Sequence, residues 1–231
     1  MPDAHAGSAH PPPRQLALAL NHAESFARED FLVGPPNEEA LALIERWPDW
    51  PDRIMLLIGP EGSGKSHLAA IWAEIAGARS VAARSIGAAS LPAAFATGAL
   101  VVEDLAEGRF DERALFHLIN VAREERAFVL ITARNAPAAW NMAVPDLASR
   151  LRALPIVMLT APDDALLRAI IVKLFADRQL AIEESLVVYL ASRIERSVAA
   201  AHRAVELLDR EGLRRQRPVT RALAGELFRE P

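Results

Sequence analysis

Residues 59–66, with the sequence GPEGSGKS, constrain the fold of this chain more than any other segment. They match the pattern G-x-x-x-x-G-K-[ST] at every fixed position. A run of β-branched and leucine residues, Ile54–Ile58, precedes the segment and is typical of a fully buried strand, while residues 65–76 have the spacing of a helix. A strand, a glycine loop and a helix in this order predict a loop that binds phosphate groups. The alternative is a glycine-rich turn that matches the pattern by chance.

The residue types in this loop suit a polyphosphate ligand. Gly62 and Gly64 allow the backbone to curl until several N–H groups converge on one anion, at the N-terminus of the following helix. Lys65 supplies a positive charge to the β- and γ-phosphates, and Ser66 supplies a hydroxyl group to Mg²⁺. The expected ligand is therefore ADP or ATP with Mg²⁺. The residues expected to form its site are Gly59, Pro60, Glu61, Gly62, Ser63, Gly64, Lys65, Ser66 and His67, with His67 packed in the helix under the loop.

Strand and helix patterns alternate through the first two thirds of the chain. Further strands are expected at residues 80–83, 99–103, 128–132 and 156–159, and helices at residues 38–47 and 111–126. This alternation predicts an α/β fold with a parallel sheet flanked by helices. After Thr160 only helical patterns remain, at residues 162–178, 183–193, 198–211 and 220–229. We therefore expect an α/β core over residues 21–160 and a small all-helical lid over residues 161–231.

Two carboxylates, Glu103 and Asp104, stand at the end of the strand expected at residues 99–103. In proteins with this kind of phosphate loop, a neighbouring strand delivers one acid to the Mg²⁺ site, and another polar residue positions the attacking water. The usual order places Asp first, whereas here Glu103 takes the metal position and Asp104 the catalytic position. This departure argues more against efficient hydrolysis than against binding. The alternative is an exposed acidic turn.

Composition and charge narrow the function classes further. The net charge of −4 argues against a nucleic-acid coat, which would need clustered Lys and Arg. The absence of Cys excludes disulfides, Cys-ligated zinc and thiol catalysis. No secretory signal and no apolar run long enough to span a membrane are visible, so we expect a cytoplasmic protein with no membrane partner. Residues 1–14, rich in Pro, Ala and His, are expected to be disordered.

Four further segments accompany the phosphate loop and the helical lid. They are FLVGPPN at residues 31–37, GKSHL at residues 64–68, ITAR at residues 131–134 and PDLASRL at residues 145–151. Together they resemble the DnaA branch of the AAA+ ATPases, and within it the Hda group of regulators that inactivate the initiator DnaA. The resemblance covers roughly residues 15–229. It implies an AAA+ core, nucleotide contacts from Val33 and Gly34, and a polar sensor residue at the end of one strand.

A hexapeptide and an arginine carry the resemblance to Hda in particular. Residues 15–20, QLALAL, resemble the peptide by which Hda proteins bind the sliding clamp, the β subunit of DNA polymerase III. The residues expected to bind are Gln15, through hydrogen bonds, and Leu16, Leu18 and Leu20, in an apolar groove. Alone, the hexapeptide fits an edge strand or the start of a helix equally well. Arg150 stands at the position of the family's arginine finger, which reaches the γ-phosphate on a neighbouring molecule. The alternative is a surface or core-bridging Arg at a helix end.

The resemblance implies a function that is performed on partners. An Hda-like chain would bind ADP or ATP, dock on the clamp, meet DNA indirectly through the clamp and promote hydrolysis of the ATP held by DnaA. Its own hydrolysis would be weak or absent, and a homodimer is possible. The chain ends after the expected lid, without room for the helix-turn-helix domain of DnaA. The family's second sensor arginine falls at Ala199, with Arg196 one turn earlier as a possible substitute.

Other interpretations of the same sequence stay open. The chain could be an adaptor that only recruits partners to the clamp, an autonomous ATPase such as a helicase loader, or, more remotely, a small-molecule kinase. Four arginines near the C-terminus would form either a solvated helix-end face or a DNA contact; they are Arg214, Arg215, Arg217 and Arg221. The four tryptophans are expected to pack in the interior, because they do not alternate with Lys or Arg.

Overall fold

A computed structural model describes residues 26–87 and 95–228, so the expected tail at residues 1–14 and the hexapeptide at residues 15–20 lie outside the described residues. The described part contains five strands: β1 (Ile54–Ile58), β2 (Arg79–Ala82), β3 (Ala99–Leu105), β4 (Phe128–Ala133) and β5 (Ile156–Met158). It also contains eight α-helices: α1 (Glu38–Glu45), α2 (Lys65–Ala76), α3 (Glu112–Glu124), α4 (Pro145–Ala153), α5 (Asp164–Asp177), α6 (Glu184–Arg193), α7 (Val198–Arg215) and α8 (Arg221–Leu227).

All five strands are parallel and lie in the order β2-β3-β4-β1-β5. The predicted α/β fold with a parallel sheet is therefore confirmed. Every residue of β1 is buried, because helices cover both faces of the sheet at its centre. The carboxyl ends of parallel strands meet at one edge of a sheet, so the loop after β1 lies beside the end of β4, one strand away from the end of β3.

Three clusters of buried apolar side chains hold these layers together. Helices α1 and α2 cover one face of the sheet with Leu41, Ile44, Leu68, Ile71 and Trp72. Helices α3 and α4 cover the other face with Leu115, Leu118, Ile119, Leu147 and Leu151. The third cluster joins α5 to α8 through Leu167, Ile171, Phe175, Leu190, Val205, Leu208 and Leu223. The change from α/β to all-helical structure near Thr160 is therefore also a change from one hydrophobic core to another.

The tryptophans pack as expected. Trp50 stacks on the buried Trp72 with ring centroids 4.9 Å apart, and Trp47 lies edge-on to Phe128 at 5.6 Å. Trp140 packs against the cluster on the opposite face of the sheet. These rings fill the space between helices and the sheet, which confirms their structural role.

Helix starts agree closely with the sequence. The Asp111 carboxylate accepts hydrogen bonds from the backbone N–H groups of Arg113 and Ala114, and so caps α3. Asp163 caps α5 in the same way through the Leu166 N–H. A side-chain oxygen at the residue before the helix satisfies N–H groups that have no partner inside the helix.

The ends of the helices agree less well with the bounds expected from the sequence. The helix expected at residues 198–211 continues to Arg215, and Gly212 lies inside it. A Cβ on Gly212 would meet Val219 at 3.1 Å, so this glycine allows the returning chain to pack closely and does not end the helix. Helix α4 was not expected as a separate element, although its start follows the rule that Pro favours the first helical turn.

None of the helices in the described part of the chain is both long enough and apolar enough to cross a membrane.

Candidate functional site

A cavity of about 580 Å³ lies between the loop after β1, the segment that precedes α1, and lid helices α5 and α7. Its polar end is formed by the loop itself, with Glu61, Gly62, Ser63, Gly64, Lys65 and Ser66. Its apolar end is formed by Phe26, Phe31, Leu32, Pro162, Leu166 and Ile170. A site with one anion-binding end and one apolar end suits an amphipathic ligand that carries a polyphosphate and a flat ring.

The loop has the curled backbone that its glycines predict. Gly62 and Gly64 both adopt left-handed conformations, with φ of +70° and +97°, which side-chain-bearing residues rarely adopt. Helix α2 begins at Lys65, immediately after Gly64, so its free N–H groups face the loop. The Ser63 hydroxyl is buried and has no hydrogen-bond partner among the described residues.

Lys65 is buried at the centre of this polar end, with 8% of its surface exposed. Its ammonium group donates hydrogen bonds to the carbonyl oxygens of Gly59 and Pro60, each at 2.8 Å. Burial lowers the pKa of Lys65 below its usual value, the charge of Asp104 opposes this shift, and Arg134 adds to it. Gly59 and Pro60 thus hold the lysine from behind and are not themselves lining residues of the cavity.

The two acids of β3 are separated by a β-bulge. The pairing of β3 with β4 shifts between Val102 and Leu105, and Asp104 adopts a left-handed φ of +55°. The Asp104 N–H donates to the hydroxyl of the buried Thr132 at 3.0 Å. This bulge turns Asp104 into the cavity with Lys65, whereas the half-buried Glu103 is not among the lining residues. Of the two expected acids, the structure brings only Asp104 to the phosphate loop.

The residues at the end of β4 form the cavity wall beside the loop. The carbonyl of Ala133 accepts a hydrogen bond from the Gly59 N–H at 3.2 Å, which joins this strand end to the first loop residue. Arg134 follows directly, and its guanidinium forms an ion pair with Glu61 at 2.6 Å. The family resemblance implied a polar sensor residue at this strand end. Thr132 takes the buried position that supports Asp104, and Arg134 takes the exposed position in the cavity wall.

The lid contacts the loop through the start of α7. The backbone N–H of Val198 donates to the carbonyl of Gly62 at 2.7 Å, and Ser197 caps the helix through the Ala200 N–H. Ala199, the expected position of the second sensor, lies directly over Gly62. The proposed substitute Arg196 is 64% exposed, lies 3.9 Å from Asp164 and does not line the cavity.

The segment before α1 forms the apolar end as the resemblance implied, but through other residues. Phe31 and Leu32 line the cavity, while Val33 is 49% exposed and is not a lining residue. Gly34 packs toward Leu166 of the lid. Neither of the two residues expected to contact the nucleotide here lines the cavity, and their neighbours Phe31 and Leu32 form the wall instead.

His67 is a helix residue under the loop, as expected, and it also lines the cavity. Its Nε2 lies 2.9 Å from the carbonyl oxygen of Ala27. The ring makes edge contacts with Phe26 and Phe31 at centroid distances of 5.4 and 5.2 Å. His67 thus ties the segment before α1 to the helix that follows the loop.

Arg150 lies in the last turn of α4 and is not part of the cavity. Its guanidinium donates a hydrogen bond to the side-chain oxygen of Asn120 and lies 4.7 Å from the centroid of the Phe116 ring. Both partners belong to α3. The half-buried arginine is therefore held on the outer surface of these two helices.

Four charged or polar lining residues of the lid were not expected from the sequence: Lys173, Asp177, Arg178 and His202. Lys173 forms ion pairs with Asp30 and Asp177, each at 2.7 Å, and thereby joins α5 to the segment before α1. Arg178 and His202 also line the cavity. Helical periodicity identified the helices that carry these residues, but it could not show which of their faces meets the phosphate loop.

The C-terminal arginines are engaged with acids on the lid surface. Arg214 and Arg215 pair with Glu211, and Arg215 and Arg217 pair with Glu226. Arg221 lies 5.8 Å from the Tyr189 ring centroid. This arrangement agrees with the expected solvated helix-end face.

Comparison with known proteins identifies solved structures with a similar architecture. No protein-family model matches the chain, and no curated protein sequence matches it. Domain III of the replication initiation protein DnaA from Thermotoga maritima has a similar structure, with a TM-score of 0.74 and 17% identity over 89% of this chain and 98% of that one.

Two further structures are similar over a smaller share of their length. DnaA from Aquifex aeolicus, solved with AMPPCP, has a TM-score of 0.63 and 20% identity over 81% of this chain and 67% of that one. The Holliday junction branch migration motor RuvB from Thermotoga maritima has a TM-score of 0.66 and 19% identity over 84% and 68%. Identities this low establish the fold alone. The chain therefore has the fold found in DnaA domain III and in RuvB.

Proposed function

We propose that the chain binds ADP or ATP, with Mg²⁺, in the cavity between the phosphate loop and the lid. The observation that carries this proposal is that Lys65 is buried at the start of α2, where the first N–H groups of a helix have no partner inside it and favour an anion. Two of the three N–H groups of its ammonium are used by Gly59 and Pro60, which leaves one for a phosphate oxygen.

The other cavity residues fit the remaining parts of this ligand. A bound nucleotide supplies the anionic polyphosphate and, as ATP, a phosphoanhydride that can be hydrolysed. Ser66 would hold Mg²⁺ through its hydroxyl group, and Asp104, which lines the same cavity, would act through a water molecule. Among the described residues no group of three His, Asp or Glu side chains could hold a metal ion, so phosphate and water would supply most of its ligands. Phe31, Leu166 and Ile170 would cover the base.

We further propose an Hda-like function, in which the chain promotes hydrolysis of ATP bound to DnaA. The position of Arg150 supports this function, because the residue lies outside its own cavity and is held on the surface by Asn120 and Phe116. An arginine presented in this way can reach a phosphate on another molecule, where it stabilises the charge that develops as water attacks the γ-phosphorus and ADP leaves. The fold that the chain shares with domain III of DnaA from Thermotoga maritima supports a contact between two molecules of the same architecture.

The clamp contact belongs to the same proposal. Residues 15–20 would bind the β subunit of DNA polymerase III and bring Arg150 to DnaA on DNA. Binding of the hexapeptide to the clamp would raise the effective concentration of the arginine near its target.

The test measures phosphate release from ATP-bound DnaA with clamp loaded on DNA. Wild-type chain should accelerate release, and Arg150→Ala should abolish the acceleration. Arg152→Ala is the matched control, because Arg152 is an exposed arginine in the same helical turn. A variant with Gln15 and Leu20 changed to Ala should need a much higher concentration for the same effect. If Arg150→Ala is as active as wild type, the Hda-like function is wrong.

An autonomous ATPase is the second candidate, and the position of Asp104 favours it. The bulge in β3 brings this carboxylate into the same cavity as Lys65, where it could orient water in the chain's own site. This candidate predicts steady ATP turnover by the isolated chain that Lys65→Ala and Asp104→Ala both remove. If the isolated wild-type chain does not hydrolyse ATP, the autonomous ATPase is excluded and the partner-directed function remains.

A further inference from the structure

We propose that Glu112 is a positioning residue for Arg150: its carboxylate holds the start of α4, and through this helix it sets where the arginine meets a partner. The proposal rests on the Hda-like function proposed above and adds a residue to it that neither the phosphate-loop pattern nor the family resemblance assigns. Glu112 does not line the nucleotide cavity, so its effect on ATP held by a partner is transmitted through α4 alone.

The start of α4 has no side-chain cap of its own. Val144 precedes the helix and carries no side-chain oxygen, and Pro145 at the first helical position has no N–H group. The two oxygens of the Glu112 carboxylate instead accept hydrogen bonds from the N–H groups of Ala143 and Val144, at 3.1 and 2.7 Å. A glutamate that accepts from the N–H group of the residue before a helix is one half of a capping box, and here another helix supplies it.

Glu112 is the first of three α3 residues that contact α4 and the residues before it. Phe116 and Asn120 follow at intervals of four, so the three side chains lie along one face of α3. All three are half-buried, whereas the neighbouring His117 is exposed. Phe116 and Asn120 contact the guanidinium of Arg150, and Glu112 contacts the backbone at the start of the same helix. One face of α3 therefore holds both the arginine and the helix that carries it.

A second carboxylate supports the segment before α4. Glu107, in the loop after β3, accepts a hydrogen bond from the Asn141 N–H at 2.6 Å. Residues 141–144 are thus bonded to a carboxylate at both ends. Trp140 precedes the segment and packs on Phe110, with ring centroids 6.3 Å apart. The indole is therefore placed where it reports on the order of this segment.

Directional hydrogen bonds are needed here because apolar packing alone leaves α4 free to turn. Leu147 and Leu151 are buried and keep the helix on the sheet, but apolar burial has no preferred direction. Arg150 lies about 9 Å along the helix axis from Val144, so a rotation or shift at the start displaces the guanidinium. A misplacement of about 1 Å can slow a reaction about a hundredfold. Loss of the Glu112 contacts should therefore slow the action of an arginine that is itself retained.

The test measures phosphate release from ATP-bound DnaA, with clamp loaded on DNA, over a range of concentrations of the full chain. Glu112→Ala should lower the maximal rate about tenfold. The concentration that gives half of the maximal rate should change less than about twofold, because residues 15–20, which would bind the clamp, are unchanged. Glu112→Gln keeps one oxygen acceptor, so its maximal rate should fall only about threefold. Glu124→Ala, which removes an exposed glutamate of the same helix, is the matched control and should behave as wild type.

Trp140 gives a second measurement, which needs only the chain itself. Without the hydrogen bonds at Ala143 and Val144 the segment loosens, so Glu112→Ala should increase the quenching of tryptophan fluorescence by acrylamide. Trp140→Phe should remove this difference, because the other three tryptophans pack on the opposite face of the sheet. The affinity of Glu112→Ala for Mg²⁺-ADP should equal that of wild type, since Glu112 does not line the cavity.

A wild-type maximal rate in Glu112→Ala would overturn the positioning role. An equal loss in Glu124→Ala, a loss that appears only as a higher half-saturating concentration, or unchanged quenching would overturn it as well. Melting curves establish that each variant is folded, and Glu112→Gln carries the test if Glu112→Ala is not. If wild type itself does not accelerate phosphate release, the Hda-like function is wrong and the role of Glu112 in it falls too.

Discussion

The Val198 N–H donates to the carbonyl oxygen of Gly62 at 2.7 Å, so the first turn of α7 is bonded directly to the phosphate loop. The contact is close on both sides, because a Cβ on Gly62 would lie 2.9 Å from Ser197 Cβ and 3.2 Å from Ala199 Cβ. A backbone hydrogen bond of this kind couples the position of the lid to the shape of the loop. A substitution that moves the lid should therefore change the conformation of the phosphate loop, and a substitution in the loop should move the lid.

Gly62→Ala should disrupt this contact. The substitution places a methyl group against Ser197 at a distance that real side chains do not adopt, so the lid must move away from the loop. We expect at least a tenfold loss of nucleotide affinity, corresponding to about 1.4 kcal/mol or more. Calorimetric titration with Mg²⁺-ADP measures it.

Gly108→Ala is the control for backbone strain in this experiment. Gly108 has nearly the same φ of +69°, and nothing lies within 4 Å of its Cβ position. Both variants should lose about 1–2 kcal/mol of stability from the left-handed backbone. If Gly108→Ala reduces nucleotide affinity as much as Gly62→Ala does, the loss comes from general destabilisation and the coupling is refuted.

Lys65→Met should remove the response to nucleotide without unfolding the chain. Methionine has similar length and no charge, so the buried position stays filled while the cation is lost. Wild type should melt at a higher temperature with Mg²⁺-ADP, by the usual linkage of binding to stability, and Lys65→Met should not. If the melting temperature of Lys65→Met also rises with Mg²⁺-ADP, nucleotide binding does not depend on this loop.

The pH dependence of the stability of wild type and Lys65→Met tests independently whether Lys65 is buried. Burial lowers the folded pKa of Lys65 below its unfolded value of 10.5. Between these two values the unfolded chain binds more protons than the folded chain, so the contribution of Lys65 to stability becomes more favourable as pH rises toward 10.5. The stability of wild type minus that of Lys65→Met, from urea denaturation, should therefore increase with alkaline pH. A constant difference would contradict the lowered pKa.

Lys173→Met should destabilise the junction between α5 and the segment before α1. Burial lowers the pKa of Lys173, but its hydrogen bonds to Asp177 and Asp30 outweigh this effect and raise the pKa overall. This contribution is fully present below 10.5 and is lost as pH rises through the folded pKa, the opposite sign to Lys65. We expect the variant to lose about 1 kcal/mol at neutral pH in urea denaturation.

Arg168→Met is the matched control for Lys173→Met. Arg168 lies on the same helix and pairs with Asp164 at 2.7 Å, but both side chains are nearly half exposed and belong to α5. Its loss should cost no more than about 0.5 kcal/mol. Equal effects of the two substitutions would show that the contact with Asp30 does not hold the segment.

Asn120→Ala should reduce the proposed action of Arg150 on a partner. Asn120 accepts the hydrogen bond that, with the Phe116 ring, fixes the direction of the guanidinium. Without this acceptor the arginine samples more conformations, and we expect about a tenfold slower stimulated phosphate release from ATP-bound DnaA. Nucleotide affinity of the chain itself should not change, because Asn120 does not line the cavity.

His117→Ala, an exposed position on the same helix, is the control for Asn120→Ala. Asn120→Asp keeps an oxygen acceptor at the same place and should retain more of the stimulation than Asn120→Ala. If Asn120→Ala stimulates as well as wild type while Arg150→Ala is inactive, the finger acts without this positioning contact.

Local sequence patterns were sufficient for the elements whose signals lie within a few residues. The buried strand β1, the loop with Gly62 and Gly64, and the helices α3 and α5 were all predicted, because strand hydrophobicity, backbone conformation and helical periodicity depend on near neighbours. The order of strands and helices also predicted the α/β class, since parallel strands need helical crossovers.

Tertiary packing decided the features that depend on distant residues. Gly212 would end a helix by local rules, yet α7 continues through it because the returning chain packs against it at Val219. Glu103 and Asp104 are equivalent in the sequence, and only the bulge supported by Thr132 turns Asp104 into the cavity.

The residues of the site were also determined partly by the sequence and partly by tertiary packing. The sequence by itself determined that a phosphate loop is present and that Lys65 is at its centre. Which residues surround that loop was decided by the sheet order and by the docking of the lid, which bring Arg134 and Val198 beside residues distant in the chain. The physical reason is that a cavity is formed between elements, and burial, charge and hydrogen bonding across it depend on their relative positions.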